Sequence, residues 1–455
     1  MKLTPEEIAA ALGAEVLAEG SAGPPRRATI DSGVTGSGDL FFGLQGARRD
    51  GGEFAADAIL TGAWGVVIGQ DEDVWTAVRP NEGPSRSWAF RVEDPLAAMQ
   101  RLARAWRRAL GARVVGVTGS VGKTSVKDIA RALLPGSVHA NRENLNTEIG
   151  LPLTILEAPD ETDVLVLEMA MRGHGQIAEL AAIAEPEVAV ITNVGPVHVE
   201  LLGSIAAIAA AKAEILADLP PGGTAVVPVR AGELEPHLAG VERLLRFGPG
   251  GDVEATAVKV DDGVTEASVK TPGGGERFHF PFTEAHNLTN ALAAIAAGVA
   301  LGADLAEMAD RAASIGFSRF RGERLELPGG IVLVNDCYNA NPVSMRAALD
   351  HLASLGAERT VAVLGEMGEL GTGAAGYHRE VGEHARAHGI DLLIGVGLPA
   401  RDYDPDELVA DPGEAAELLA ARLEPGDAVL VKGSRSAGLE AVAEQLPELV
   451  EVGDG

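Results

Sequence analysis

Cysteine, lysine and long apolar runs are what this chain has least of. One cysteine, Cys337, stands among 455 residues, so no internal disulfide can form, as expected of a protein held in a reducing cytosol. No apolar run approaches the roughly 18 residues a membrane helix needs. The opening MKLTPEEIAAALGAEVLAEG mixes charges with apolar residues where a leader peptide would carry an h-region and a cleavage site. The expectation is a soluble cytoplasmic protein without membrane insertion, with monomer as the default state. Basic residues are outnumbered, 37 against 66 acidic, for a net charge of −29. That balance argues against a nucleic-acid partner, whose phosphates need clustered Lys and Arg. Seven of the basic residues are lysines: Lys2, Lys123, Lys127, Lys212, Lys259, Lys270 and Lys432. A polyanionic ligand must then be met by local cations and metal. A lysine kept where arginine is otherwise preferred is a candidate for work that needs a compact, titratable ammonium.

At this length two or three domains are expected, since roughly 100 to 200 residues make one. Residues 1–92 read as a small mixed α/β unit ending in the loop RPNEGPSRSW. Residues 93–321 open on an amphipathic helix, DPLAAMQRLARAWRRALG, and then alternate continuous apolar strands with helices: DVLVLEMAM, a helix from Ile177 to Ala184, EVAVITNVG, a helix from Ser204 to Leu219, and TAVVPV. Strands apolar throughout, with helices between them, predict a parallel sheet covered on both faces. Period-two alternation from Val253 to Phe282 predicts a few antiparallel strands appended to that sheet, and two helices close the unit. Residues 322–455 repeat the strand and helix alternation, which predicts a Rossmann-like doubly wound domain, without the Gly-x-Gly-x-x-Gly fingerprint. The fold class expected is α/β in three domains. No short repeat or low-complexity segment interrupts it.

The chemistry starts at VVGVTGSVGKTSVKDIARALL, Val114 to Leu134. It reads as a buried strand, a Gly-rich turn and a helix with apolar residues at Val126, Ile129, Ala130, Leu133 and Leu134. The common P-loop has glycine five positions before Gly122, where this chain has Val117, so the loop is a shortened Gly-x-x-Gly-Lys-Thr. Backbone amides from Gly119 through Ser120, Val121, Gly122, Lys123 and Thr124 would cradle phosphates, Lys123 would neutralise them, and the Thr124 hydroxyl could hold Mg2+. Glu168 ends a strand, where parallel sheets place ligands; it is a metal ligand or a loop carboxylate or cap. His198 follows the next strand in the same topological place, as a metal ligand or a structural histidine. Lys212 lies on a helix apolar nearly all round, SIAAIAAAKAEILADL, and is either snorkelling or chemically special. A buried lysine has a depressed pKa, and its neutral amine can take up CO2 as a carbamate. Asn287 and Asn290, three apart on one helix face, could read a base edge, or Asn287 could cap the helix. In the last domain the loop NDCYNANP, with Asp336, Asn339 and Asn341, shares a predicted sheet edge with LGEMGELG and KGSRS. Three polar loops on one edge favour a binding face that would close onto the phosphate loop.

Taken together, these stretches resemble the Mur ligases of peptidoglycan synthesis. TGSVGKTS resembles that family's ATP loop, NLNTEIGLPLTIL its following segment, HNLTNALAA its adenine-side helix and Lys212 its carbamylated lysine. RGERLE, NDCYNANPVSM, LGEMGELG with His378, and KGSRS resemble the branch that adds D-alanyl-D-alanine to a UDP-N-acetylmuramoyl tripeptide. The resemblance implies an ATP- and Mg2+-dependent ligase acting through an acyl phosphate. It implies that Gly119 to Ser125 bind ATP phosphates, and that Thr124, Glu168, His198 and carbamylated Lys212 hold or position the metal. Asn287 and Asn290 would face adenine, Arg324 the phosphates and Asp336 the ribose. Asn144, Asn146 and Thr147 would meet the UDP-muramoyl peptide, as would Asp31 and Ser32 of the first domain. Asn339, Asn341, Lys432, Ser434 and Arg435 would place the incoming dipeptide. The implied catalytic set is Lys123, Lys212, His198 and Arg324. One position departs: the family's Asp-Ser-Arg is Asp31-Ser32-Gly33 here, which leaves a phosphate contact to Arg26, Arg27 or a different mode of holding. The relative that adds the third peptide residue carries Asp-Asn-Pro-Arg, absent here. A folylpolyglutamate synthase has no counterpart of residues 1–92. A scaffold without catalysis is the remaining alternative, and intact Lys123, Glu168, His198 and Lys212 speak against it.

Overall fold

The first sheet is built from short strands because turns follow every few apolar residues. It comprises β1 (Glu15–Ala18), β2 (Ala28–Thr29), β3 (Leu40–Phe42), β4 (Gly65–Ile68) and β5 (Trp88–Arg91), in the order β1-β5-β4-β3-β2. Only β1 is antiparallel to its neighbour. The computed structural model describes residues 1–70, 87–197, 199–261 and 263–453. His198, most of the predicted loop RPNEGPSRSW and Asp262 of the predicted Asp-Asp-Gly turn lie outside the described residues.

The amphipathic helix is Pro95–Leu110, started by Asp94, whose side chain accepts from the amides of Leu96 and Ala97, and ended by Gly111 at φ 64°. Its Met99, Leu102 and Trp106 join Ile8 and Leu12 of the first unit to Leu151, Leu167 and Ile191 of the second in one continuous core. The first sheet is therefore seated on the second through buried apolar surface. The second sheet has β6 (Arg113–Thr118), β7 (Val138–Ala140), β8 (Val164–Glu168), β9 (Val188–Ile191), β10 (Thr224–Pro228) and β11 (Arg243–Phe247), ordered β11-β10-β9-β6-β8-β7 and wholly parallel. The helix expected from Ser204 to Leu219 is shorter: Ile205–Ala213 with Ser204 as cap, then a single 3-10 turn at Glu214–Leu216.

The antiparallel strands β12 (Glu254–Asp261), β13 (Val264–Thr271) and β14 (Gly274–Phe280) form a separate three-stranded sheet and do not extend the parallel one. Among the described residues, an isolated bridge from Phe247 to Val253 is the one β-pairing that links the two. The reason is burial: Ala267, Val269, Phe278 and Phe280 turn onto the same core as the Ala285–Leu301 helix and the outer face of the Lys123–Leu133 helix. Pairing edge to edge with β11 would have left that face wet.

The third sheet holds β15 (Glu323–Leu327), β16 (Ile331–Asn335), β17 (Thr360–Leu364), β18 (Leu392–Val396), β19 (Glu407–Val409) and β20 (Ala428–Lys432), in the order β15-β16-β20-β17-β18-β19. All pairs are parallel except β15 with β16, an edge hairpin. Because β16, β20 and β17 are parallel neighbours, the loops after them leave on one edge. That edge is already docked on the second unit: the Val343 side chain packs against Gly195, Gly371 packs against Glu200, and Arg172 pairs with Glu369 at 3.9 Å. Among the described residues no helix is long and apolar enough to cross a membrane.

Candidate active site

Gly119 and Gly122 take φ of 150° and 81°. A Cβ at Gly119 would fall 1.9 Å from Thr192 Oγ1, and one at Gly122 would fall 2.4 Å from Asn290 Oδ1. The turn therefore needs glycine twice, for conformation and for close approach. The amides of Ser120 and Val121, expected to hold phosphate, instead donate to Asn193, at 3.1 Å to its carbonyl and 2.9 Å to its side chain. The Ser120 hydroxyl also exchanges hydrogen bonds with the backbone of Gly195. These contacts fix the loop against the segment that follows β9. The amides that remain for an anion are those of Gly122 to Ser125, the helix's first turn, which its own ladder cannot satisfy.

Lys123 opens that helix, and its ammonium donates to the Gly119 carbonyl at 2.8 Å. Its side chain keeps some exposed surface, but the protein crowding it pushes its pKa down; Glu168 pulls it back up and Arg321 pushes it further down. Glu168, 2% exposed at the end of β8, accepts from the Thr124 hydroxyl at 2.9 Å and from the Asn146 amide at 2.8 Å. Its own backbone N–H is held by Asn141 at 2.7 Å. Glu168 is thus no helix cap. Threonine hydroxyl and carboxylate together make a hard oxygen donor set that fits Mg2+.

Lys212 is 2% exposed, and among the described residues no hydrogen bond or ion pair reaches its ammonium. Burial drives its pKa well below the ordinary lysine value, and the charge on Lys123 adds to that push. Two lysines close enough for one to lower the pKa of the other form a local concentration of positive charge that Glu168 only partly offsets. Arg321 contributes a third cation: its guanidinium lies 4.0 Å over the Tyr338 ring, and its buried Nε has no partner.

Asn287 does not cap its helix. The cap is Glu284, and Asn287, 4% exposed, donates to the Glu284 carboxylate and accepts from Asn290, both at 3.3 Å. Asn290 in turn touches Gly122, so the asparagine pair lies directly behind the loop.

In the third unit the expected residues divide. Asn339 is exposed beside the loop edge. Asn341 is buried, and its side chain caps the Pro342–Ser354 helix through the amides of Val343 and Ser344. That role accounts for this asparagine without a ligand. Lys432, 2% exposed, donates to the Asp336 carboxylate at 2.6 Å and to the carbonyls of Asp336 and Asn339. It is a tie holding the NDCYNANP loop, not a group facing open solvent. The Ser434 hydroxyl accepts from the Gly368 amide at 2.8 Å and joins two of the three loops. Arg435 is exposed and pairs with Glu440 at 3.2 Å. His378 accepts from the Met367 amide at 3.0 Å through Nε2 and donates to the Ala374 carbonyl through Nδ1, which shapes the LGEMGELG loop. Arg324 sits exposed on the edge strand β15, 3.6 Å from Glu326, while Arg321 is the arginine whose charge reaches Lys123.

In the first unit Asp31 accepts from the Gly33 amide at 2.8 Å in a tight turn, with Ser32 partly exposed beside it. Arg26 and Arg27 precede β2 and both pair with fully buried Asp39. The Asp31 turn follows β2, and Arg27 reaches it, donating to the Val34 carbonyl at 3.0 Å. Arg48 and Arg49, exposed in the loop after the parallel neighbour β3, share the edge of the Asp31 turn. Asn144 and Thr147 are exposed beside Asn146 on the segment between β7 and the Gly150–Glu157 helix.

Residues 117–298 match the Mur ligase middle domain, and residues 320–435 match the Mur ligase glutamate ligase domain. A Synechocystis protein named UDP-N-acetylmuramoyl-tripeptide–D-alanyl-D-alanine ligase is 39% identical over 90% of this chain and 89% of its own. The chain belongs to the Mur ligase family. A solved structure of MurF from Acinetobacter baumannii superposes on this Mur ligase with a TM-score of 0.87 at 28% identity, over 98% of this chain and 99% of that one. MurF ligase from Thermotoga maritima in complex with ADP gives 0.82 at 30% identity, over 94% and 98%.

Several Mur ligase residues escape a sequence reading. Asn193 and Arg321 carry no motif of their own. Lys127 and Asp128 do leave a signal, as two charges beside Val126, Ile129 and Ala130 on the buried part of their helix. Lys127 donates to the Asn141 carbonyl at 3.0 Å, and Asp128 accepts from the Ser318 amide and hydroxyl at 2.9 and 2.8 Å. The phosphate-loop helix is thereby tied to the segment leading into the third unit.

That docking carries a pH dependence. His351, whose side chain is 8% exposed, meets the Glu284 carboxylate of the second unit at 3.5 Å. Burial lowers its pKa below 6.5; Glu284 and Asp336 oppose this and Arg324 adds to it. Because the docked form holds the proton less tightly than the undocked one, docking is fully stabilised above the free value and weakens as pH falls through and below 6.5. Small-angle scattering of the ligand-free enzyme between pH 7.5 and 5.5 is expected to show expansion at the acid end. The His351→Gln variant is expected to flatten that response.

Proposed function

We propose that this Mur ligase joins D-alanyl-D-alanine to a UDP-N-acetylmuramoyl tripeptide, with ATP converted to ADP and phosphate. The observation that carries the reading is that the likeness to the Synechocystis ligase runs over nine-tenths of both chains, at 90% and 89%. Likeness over that length supports a common pair of substrates as well as a common use of ATP. We assign residues 1–92 to the nucleotide sugar, 93–321 to ATP and 322–455 to the dipeptide, and place the enzyme in the cytoplasm as a monomer. In place of the arginine missing at Gly33, Arg27, bonded to the Val34 carbonyl, and Arg48 and Arg49 on the same edge are the cations placed to meet the diphosphate.

The mechanism follows from charge. The tripeptide carboxylate must attack the γ-phosphorus of ATP, and both are anions. Lys123 and the first-turn amides from Gly122 to Ser125 hold the phosphates, with Arg321 as a further cation as the third unit seats. Thr124 and Glu168 would hold Mg2+, which when bound draws charge from the phosphate oxygens. Asn146 keeps Glu168 oriented through its free oxygen. Attack forms a bond from carboxylate oxygen to phosphorus and breaks the bond to the ADP oxygen. The neutral amine of the dipeptide then adds to the acyl carbon, loses a proton, and expels phosphate to leave the amide. Water would hydrolyse the acyl phosphate, so the docked loops of the third unit serve to exclude it. Lys212, whose pKa burial pushes well below the ordinary lysine value, is placed to bond through its neutral amine to CO2 and release one proton. The resulting carbamate anion would lie opposite Lys123.

Phosphate release with each component omitted in turn tests the reading. Release is expected only with ATP, Mg2+, the UDP-muramoyl tripeptide and D-Ala-D-Ala all present, with a product heavier by one dipeptide less water. Turnover with a different amine or acceptor, and none with this pair, would overturn the substrate assignment.

A further inference from the structure

Away from the phosphate loop, two helices of the third unit bring together three side chains that the ligase reaction does not use. Asp350 lies on the Pro342–Ser354 helix, and His384 and His388 lie on Ala374–Ala387 and its C-cap. His384 Nε2 is 2.6 Å and His388 Nε2 is 3.4 Å from the same oxygen, Asp350 Oδ1. One ligand atom from each of the three lies within 4.8 Å of the other two. The imidazole rings stack with centroids 4.0 Å apart. Histidines four apart on a helix share a face, the spacing with which helices bind zinc.

We propose that Asp350, His384 and His388 form a site for one divalent transition-metal ion of the zinc class, completed by water. The tautomer supports this. His388 Nδ1–H donates to the His384 carbonyl at 2.9 Å, which leaves the Nε2 lone pair directed at Asp350. A backbone carbonyl that fixes the far nitrogen is the usual support of a metal-binding histidine. Ligand separations also fit. Four ligands held tetrahedrally at about 2.0 to 2.1 Å from zinc lie roughly 3.3 to 3.4 Å from one another, and the His388 to Asp350 distance of 3.4 Å already matches. At the shorter His384 contact, 2.6 Å, the ion would take the place of the direct hydrogen bond to Asp350. The side chains are 52%, 20% and 41% exposed for Asp350, His384 and His388, which leaves an entry path and room for water. The mixed nitrogen and carboxylate set selects against Mg2+, which prefers oxygen throughout. One turn earlier Arg346 and Glu380 pair across the same helices at 3.8 Å, so the faces are in register without the ion. Both helices begin at the loop edge, one from the Asn341 cap and the other just after the LGEMGELG loop. The ion would therefore clamp the two supports of the dipeptide loops roughly 13 Å from where they start.

The test uses the full chain, stripped with EDTA, dialysed and kept in excess Mg2+ so that the ATP site is not the reporter. Titration with Zn2+ is expected to give one equivalent bound and a higher melting temperature, and Co2+ the strong visible absorption of a tetrahedral ion. In the His384→Ala/His388→Ala variant, binding is expected to weaken by at least about 100-fold, since loss even of a supporting partner costs 10- to 100-fold. The thermal shift and the absorption should vanish with it. Ligase turnover without added Zn2+ should match the parent, which shows the variant folded. Equal Zn2+ binding by parent and variant, or no stoichiometric binding by the parent, would overturn the proposal.

Discussion

Replacing Lys123 with alanine is expected to lower ligase turnover by roughly a thousandfold or more while leaving the fold at least as stable. The first half follows from what the ammonium faces. It is held at the start of the phosphate-loop helix by one bond of 2.8 Å to Gly119, in a setting crowded enough to depress its pKa. Removing a fixed donor from developing charge in such a place costs about 10² to 10³ in rate, and here the group also holds two anions together. The second half follows from the same burial. An ammonium whose pKa is lowered by its surroundings destabilises the protein at neutral pH, because the unfolded chain holds the proton more tightly. Phosphate release and thermal melting on one preparation measure both halves. Turnover within tenfold of the parent would mean that Lys123 does not carry the phosphoryl transfer.

Lys212→Met is expected to be the more instructive change. The position is 2% exposed on a helix whose buried neighbours include Ile208, Ala209 and Ala211, so an apolar side chain of similar length fits. Burial pushes the folded lysine well below its ordinary pKa, so the folded chain holds this proton less tightly than the unfolded one. The penalty is full at low pH and shrinks as pH rises toward the unfolded value of about 10.4. The methionine variant should melt higher than the parent, most clearly at low pH, and yet lose turnover about as severely as Lys123→Ala. If the carbamate is the working form, Lys212→Ala should regain at least about tenfold of its activity with acetate or propionate, whose carboxylate can enter the vacated space. Lys123→Ala should not respond to them. Absence of rescue, together with full parent activity in CO2-free buffer, would leave Lys212 a structural lysine.

The parts of the fold that could be read in advance are those where one periodicity dominates. The strands β6, β8, β9 and β10 are apolar at almost every position because both faces are covered, and they emerged where the sequence places them. The antiparallel strands were also foreseen, but their attachment was not. Alternation tells which side of a strand is buried, not against what, and only the core around Phe278 and Phe280 shows that they pack on a helix face. The edge strand β15 is short, and its alternation, with Leu325 and Leu327 toward the core and Arg324 and Glu326 exposed, spans only five residues. In the site, Lys123 and Thr124 stood out by the Gly-Lys-Thr loop, Glu168 by ending an apolar strand, and Lys212 as a scarce residue on an apolar helix. Asn341 and Lys432 stood out equally, yet the structure gives them a helix cap and a loop tie. Sequence marks a polar residue at a sheet's mouth without saying whether its partner is a ligand or the backbone. The converse holds for Asn193 and Arg321, whose roles come from neighbours more than 70 residues away or from a ring stacked beneath.

The central claim is that a substrate carboxylate takes the γ-phosphoryl group and then gives up one oxygen with it. The most direct measurement is single turnover with UDP-muramoyl tripeptide labelled with 18O in both oxygens of the reacting carboxyl group, followed by mass analysis of the released phosphate. One 18O in each phosphate, and the other retained in the new amide, is the predicted result. Unlabelled phosphate, or label carried away in AMP, would contradict the account.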